Sequence, residues 1–237
     1  MNFAGVSPDR IHIVPHGPYY HGPPQGDKIT LRKRYGIPLD KQVALFFGDI
    51  RPDKNLDLFL RAMVPFKDRL FLVVAGQPKR DVSAHSLREM AERLGVTSAI
   101  KWMTNYVPYE EVPNLFELSD WAILPYSHSF TSQSGVLNVA VAHRRPVLIS
   151  ALPTFMEHLR QCRLGIAVPP DSIEGLKDGI EQMIELTRKP NQWEFERAAA
   201  IFSWERNVHD TVECYKRVVS DDPQVGQTSP VAHGALR

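Results

Sequence analysis

Only two cysteines, Cys162 and Cys214, occur in 237 residues. They lie far apart and match no zinc-ligand or redox spacing. Such sparse cysteine usage suits a reducing compartment, so a cytoplasmic location is the expectation. No apolar run reaches the roughly 20 residues needed to span a bilayer, so no transmembrane segment is expected. The opening MNFAGVSPDRIHIVPHG lacks the basic and apolar regions of a signal peptide. An excess of one charge is missing as well: 28 Lys and Arg stand against 27 Asp and Glu, which gives no global electrostatic case for nucleic acid. No internal repeat is detectable, and no G-x-x-x-x-G-K-[ST], G-x-G-x-x-G or G-x-S-x-G occurs. No Asp-x-Asp pair is placed in a loop to hold a metal. His12, His16 and His21 are close in sequence, but Pro15 and Pro18 interrupt any regular ligand geometry, so no metal site is expected.

What the chain does have is a 43% hydrophobic composition, enough for a sizeable core. Short apolar runs recur at Ile11–Val14, Val43–Phe47, Leu70–Ala75, Ala99–Trp102, Trp121–Leu124, Pro146–Ser150 and Gly165–Val168. Helical periodicity lies between them, around residues 28–35, 54–63, 83–94, 109–118, 133–142, 153–162, 172–187 and 191–201. The alternation predicts an α/β fold with a Rossmann-like parallel sheet covered by helices on both faces. The runs are nearly all apolar rather than alternating, as doubly covered strands should be. Residues 1–24 read as a hinge strand and a Pro/Gly linker, and 25–203 as the α/β domain. One more amphipathic helix covers 204–219, and a disordered tail covers 220–237.

The segment VALFFGDIRPDKNLDLFLRAM, Val43 to Met63, carries the most chemistry. It reads as a buried strand stopped at Gly48, a basic loop with Arg51 and Lys54, and a helix with Leu56, Phe59, Leu60 and Met63 on one face. In an open α/β sheet, ligands bind outside the carboxyl ends of the strands. Two cations beside free helix N–H groups there suit an anion such as a diphosphate. Solvated surface charge is the other reading of the pair.

The order of motifs, from about Val6 to Val219, resembles the C-terminal half of a glycosyltransferase family 4 enzyme of the GT-B fold. IVPHG looks like the hinge, and FFGDIRPDKNLDLFLRAM like the donor segment. LFLVVAGQP and YVPYEEVPNLFELSDWAILPY resemble the next units. SQSGVLNVAVAHRRPVLIS is similar to the donor-binding helix and strand, and LGIAVPPDSIEGLKDGI and FSWE follow in family order. The resemblance implies a retaining transfer of a hexosyl group from a nucleotide-diphosphate sugar, of UDP or GDP type, to an unknown acceptor. It implies no metal and no obvious protein base. It places Arg51 and Lys54 on the diphosphate, beside Gly48, and Gln133, Ser134 and Gly135 at a helix start aimed at the same phosphates. It points to Thr104 and Tyr106 for the base, and to Glu157 near the sugar or ribose. For Ser134 plain N-capping is the other reading, and for Glu157 a solvated helix charge.

Two departures stand out. The glutamate pair that many family members carry falls on Thr131 and Val139, and the acceptor-binding half of a GT-B enzyme has no counterpart in these 237 residues. The expected partners are therefore a nucleotide-sugar donor and an acceptor-binding, N-terminal-type chain or domain, through which contact with a membrane surface could arise. A non-catalytic interaction domain with a decayed donor site stays open as an alternative. So does an unrelated flavodoxin-like or receiver-like module, although Asp49 finds no acidic partners at the other strand ends.

Overall fold

The structure is a computed structural model that describes residue 7 and residues 11–79, 81–189 and 192–221. Six of the seven apolar runs pair into a single parallel sheet. Its strands are β1 (Gln42–Phe47), β2 (Leu70–Ala75), β3 (Ile100–Met103), β4 (Trp121–Leu124), β5 (Val147–Ser150) and β6 (Gly165–Val168). The order across the sheet is β3-β2-β1-β4-β5-β6. Register is set by long apolar matches, with Val43 opposite Phe71 and Phe47 opposite Ala75. The seventh run, Ile11–Val14, forms no strand: Ile13 is 70% exposed and Pro15 follows it, which removes a backbone donor.

Helices fill the connections: α1 (Lys28–Tyr35), α2 (Leu56–Ala62), α3 (Ala84–Arg93), α4 (Val112–Leu118), α5 (Gly135–Ala142), α6 (Pro153–Gln161), α7 (Ile173–Leu186), α8 (Phe195–Ile201) and α9 (Trp204–Asp221). Their ends follow local chemistry. Asp27 caps α1 by accepting the Thr30 N–H, and Gly36 ends it in the left-handed region at φ 64°. Ser83 and Ser172 cap α3 and α7 in the same way.

On one face of the sheet Phe46, Leu72, Trp121, Ile123 and Leu148 pack with Phe59 and Leu60 of α2 and its C-cap Met63, Leu87 and Ala91 of α3, and Ile180 and Met183 of α7. The alternate residues Val43, Leu45, Val73, Ala122, Leu124 and Ile149 are buried too, and α4, α5 and α6 pack against β1, β4 and β6. This double coverage is why the strands read as continuous apolar runs. At the amino end of β4, Asp120 accepts Arg32 Nη2 at 2.6 Å, Lys28 Nζ at 2.9 Å and the Val43 N–H at 2.7 Å. That buried network ties α1 to the two central strands.

Two compact units result. One comprises Pro18–Ala200, with the sheet, and the other joins the described residues before Pro18 to those after Ala200. In the second unit the ring of Trp204 lies against Gly17 and edge-on to His16, and Asn207 donates to the Pro15 carbonyl at 2.7 Å. α9 runs to Asp221, past the expected helix end at Val219. The remainder of the expected tail lies outside the described residues.

Candidate functional site

All six strands run the same way, so every loop after a strand emerges on one edge. The order reverses between β1 and β4, whose following helices therefore diverge and leave a crevice at that edge. A cavity of about 280 Å³ occupies this place. It is lined by Gly48, Asp49, Arg51 and Lys54 after β1, and by Tyr126, Phe130, Gln133, Ser134, Gly135 and Val136 after β4.

The β1 side is shaped by a glycine turn. Gly48 has φ 90°, and a Cβ on it would stand 3.4 Å from Lys54 Nζ. Behind it Gly76 packs so closely that a Cβ there would meet the Gly48 carbonyl oxygen at 2.0 Å. The chain is then fixed to the loop after β2 by bonds from Ile50 N–H to Gln77 O and from Lys79 N–H to Ile50 O. A 3₁₀ turn, Pro52–Lys54, closes with Asn55 in the left-handed region, so helical geometry begins before α2 without continuing into it.

Lys54 is the central charge. It is 7% exposed and makes no ion pair among the described residues. Its ammonium stands 5.5 Å from the centre of the Tyr126 ring. Burial, and then the neighbouring Arg51, push its pKa down to about 8, against the pull of Asp49 and Asp53. Arg51 is differently placed. Its Nη2 is paired with Asp53 at 3.0 Å, its Nε is buried without a hydrogen-bond partner, and its Cζ is 5.9 Å from the centre of the Phe130 ring. Asp49 lines the same cavity but is paired with Lys79 at 3.3 Å. Two of the nearby carboxylates are thus matched, and among the described residues Lys54 makes no ion pair, so its charge is available to an anion.

The β4 side offers dipoles. Ser134 occupies the N-cap of α5 but makes no side-chain cap bond; it is buried, with Oγ 3.5 Å from the Tyr126 hydroxyl. The capping reading therefore does not hold, and the first amides of α5 are left uncapped by a side chain at the cavity wall. Tyr126, fully buried, has its hydroxyl pushed up to about 12, first by burial. The ring of Tyr19 lies over Gly135.

The sequence-predicted residues Gly48, Arg51, Lys54, Gln133, Ser134 and Gly135 thus meet in one cavity. Thr104 and Tyr106 do not join them: β3 lies two strands away. Thr104 Oγ1 accepts Arg88 Nη2 at 3.0 Å. Tyr106, 71% exposed, lines a second cavity of about 440 Å³ with Arg34, Tyr35, Trp102 and Glu111. Glu157 is exposed on α6 and lines neither cavity, because the helix turns Phe155 inward and Glu157 to the opposite side. Thr131 is exposed and Val139 buried, so the glutamate-pair positions supply no carboxylate. Sequence reasoning missed Tyr126 and Phe130 as the aromatic floor beneath the cations; the Pro-Tyr step just after β4 was the available signal. No cluster of three metal-ligating side chains exists among the described residues.

Comparison with known proteins agrees with this geometry. The profile of the family described as Glycosyl transferases group 1 matches residues 27–198. D-inositol 3-phosphate glycosyltransferases of Mycobacterium bovis and Mycobacterium tuberculosis are 28% identical over 229 residues, covering 93% of this chain and 46% of theirs. The chain thus spans about half the length of these curated relatives. The C-terminal domain of a group 1 glycosyl transferase, LpcC, from Francisella tularensis superposes with a TM-score of 0.57 at 17% identity, over 81% of this chain and 95% of that one. Anabaena HepE, in complex with UDP and glucose, superposes with a TM-score of 0.66 at 18% identity, over 82% of this chain and 52% of that one. The six-stranded parallel sheet is the C-terminal half of a GT-B fold, and the chain belongs to the glycosyl transferases group 1 family.

Proposed function

We propose that this chain is the donor-binding half of a retaining glycosyltransferase that takes a nucleotide-diphosphate hexose. The observation that carries the reading is the buried Lys54 ammonium facing the α5 start across the switch-point cavity. A leaving diphosphate gains charge as the glycosidic bond breaks, and fixed cations and dipoles in a dry site stabilise it. Lys54 supplies the point charge and the α5 amides supply oriented donors. Arg51, once released from Asp53 by a phosphate, would add a planar fork. At about 280 Å³ the cavity falls just below the usual range of ligand sites, about 300 to 1,000 Å³. It suits the diphosphate and part of a sugar, so the base must lie elsewhere. β3 is two strand spacings from β1, about 10 Å, and the Tyr106 cavity at its end is the proposed place for the base.

Transfer then needs an acceptor-binding domain. On α9, Trp204, Val208, Val212, Tyr215 and Val219 are each more than 40% exposed and recur at helical spacing. This apolar stripe is the proposed docking face for that domain, whether it is in the same polypeptide or in another chain. Calorimetric titration with UDP, GDP and ADP tests the donor reading. One nucleotide should bind to the wild-type chain and not to Lys54→Ala; equal binding by both would sink it.

A second reading, a non-catalytic interaction domain, is favoured by the Asp49 carboxylate in the cavity wall and by the Arg51–Asp53 pair. It predicts that a well-folded chain binds none of the three nucleotides.

A further inference from the structure

Two loops carry the cavity's charge and its aromatic floor, and one carboxylate from a third loop joins them. Asp171 lies between β6 and α7. Its Oδ1 accepts Asn55 Nδ2 at 2.7 Å. Its Oδ2 accepts the His128 main-chain N–H at 2.9 Å and meets the His128 ring Nδ1 at 2.5 Å, with the Ser127 hydroxyl at 3.5 Å. Asn55 closes the turn that holds Lys54, and Ser127 and His128 directly follow Tyr126. A main-chain bond from Ser127 N–H to the Asp53 carbonyl, 2.9 Å, adds a second tie between the same two loops.

The ordinary role of an aspartate just before a helix is to shape or cap the turn. Here the cap of α7 is Ser172, which accepts the Gly175 N–H at 3.0 Å. The Asp171 carboxylate reaches away from its own helix to the other two loops. Both partners of the 2.7 Å bond, Asp171 at φ 56° and Asn55 at φ 48°, sit in the left-handed region, so two turned backbones face each other across it. Burial pulls the carboxyl pKa upward, but hydrogen bonds from His128, Asn55 and Ser127 prevail and hold it at about 2, so it stays an acceptor at neutral pH.

We propose that Asp171 is a positioning residue for the anion site, holding the Lys54 loop and the Tyr126 loop at the separation where the ammonium, the aromatic floor and the α5 amides converge. This rests on reading the cavity as the diphosphate site. Asp171 is exposed and lies outside the core, so its removal should loosen the loops and not unfold the sheet.

The experiment is calorimetric titration of UDP, GDP and ADP into the full chain as wild type, Lys54→Ala, Asp171→Gly, Asn55→Gly and the Asp171→Gly/Asn55→Gly double variant. Glycine accepts the left-handed backbone at both positions, φ 56° and φ 48°, so each change removes the side chain without straining its turn. Asp171→Gly and Asn55→Gly should each weaken the bound nucleotide by about tenfold, as loss of a charge-assisted bond in a coupled network would. The double variant should be no weaker than Asp171→Gly alone, because both act through one contact. Amide exchange should quicken in residues 51–55 and 126–131 and stay unchanged in β1 and β4. Wild-type affinity in Asp171→Gly, or additive losses, would overturn the clamp and leave the cavity reading intact. If Asp171→Gly lacks a cooperative melt, Asn55→Gly decides alone, and unchanged affinity there refutes the clamp. If the wild type binds none of the three, or Lys54→Ala binds equally well, the cavity reading fails and the clamp fails with it.

Discussion

The buried Lys54 ammonium proposed to hold the donor carries a stability cost, and replacing it by methionine measures that cost. Moving a lysine from its ordinary pKa of 10.5 to about 8 in the folded chain corresponds, at about 1.4 kcal/mol per factor of ten, to about 3 kcal/mol of destabilisation at pH 7. Methionine keeps an unbranched apolar stem and removes the charge. It also forfeits the ammonium's attraction to the Tyr126 ring at 5.5 Å, worth about 0.5–1 kcal/mol. The net expectation for Lys54→Met is a gain of about 2 kcal/mol at pH 7, or about 4–8 °C in Tm for a domain of this size. The sign with pH follows from linkage. Between pH 8 and 10.5 the unfolded lysine holds its proton and the folded one does not, so wild-type stability rises with pH through that window. The methionine advantage must therefore fade from pH 7 towards pH 10. Thermal unfolding of both proteins at pH 7 and pH 10, followed by circular dichroism, checks it. A less stable methionine variant at pH 7, or an advantage independent of pH, would refute the account of Lys54 as a buried, uncompensated cation.

The same titration predicts that nucleotide affinity falls above pH 8 by up to about tenfold per pH unit, since an anion binds the protonated Lys54; calorimetry in buffers of different ionisation enthalpy should show net proton uptake near pH 8.5. At the other edge of the sheet, Asp120→Ala should destabilise the fold by about 3–5 kcal/mol by stranding the buried Arg32, read as a shift in urea midpoint, without changing nucleotide affinity if binding is measured on folded protein. Because the partners of Asp120 hold its carboxyl below its ordinary value despite the upward pull of burial, its stabilisation is present above about pH 4 and is lost as pH falls through the depressed value; acid unfolding of the alanine variant should therefore be shallower. Val208→Glu with Val212→Glu on α9 should abolish any concentration-dependent self-association seen by ultracentrifugation and leave nucleotide affinity intact; persistence of that association would remove α9 as the sticky face.

Apolar continuity was enough to place β1 to β6, because strands buried on both faces must be apolar throughout. The same logic misread Ile11–Val14, whose side-chain character is that of a strand but which no neighbouring strand edge pairs. Gly48, Lys54 and the Ser134–Gly135 step were legible because glycine turns, cations and helix starts are local features. The pairings that decide the charge of the site were not. Asp53 lies two residues from Arg51 and could equally have faced water. Lys79 reaches Asp49 from the loop after β2, and nothing in the spacing marks it. Glu157 stays outside the cavity for a related reason: helical phase, set by Phe155 at 0% exposure, turns it to solvent.

The electrostatic design of the cavity follows from these long-range pairings. A single buried ammonium is costly by itself, and Asp49 and Asp53 lie near enough to temper it, yet each is drawn off by another cation. The result is a site whose charge is neither neutralised nor fully solvated, which is the state the proposed diphosphate ligand would relieve. The chain tolerates the cost because the loops bearing Lys54 and Tyr126 are fixed from outside, by Gly76 against Gly48, by the Ile50–Gln77 and Lys79–Ile50 bonds, and by Asp171 across the crevice. Were these ties absent, the ammonium could swing into water at the expense of a few ordered residues, and the lowered Lys54 pKa would return towards 10.5. Loosening the Asp171 clamp should therefore raise the Lys54 pKa from about 8 towards its ordinary value.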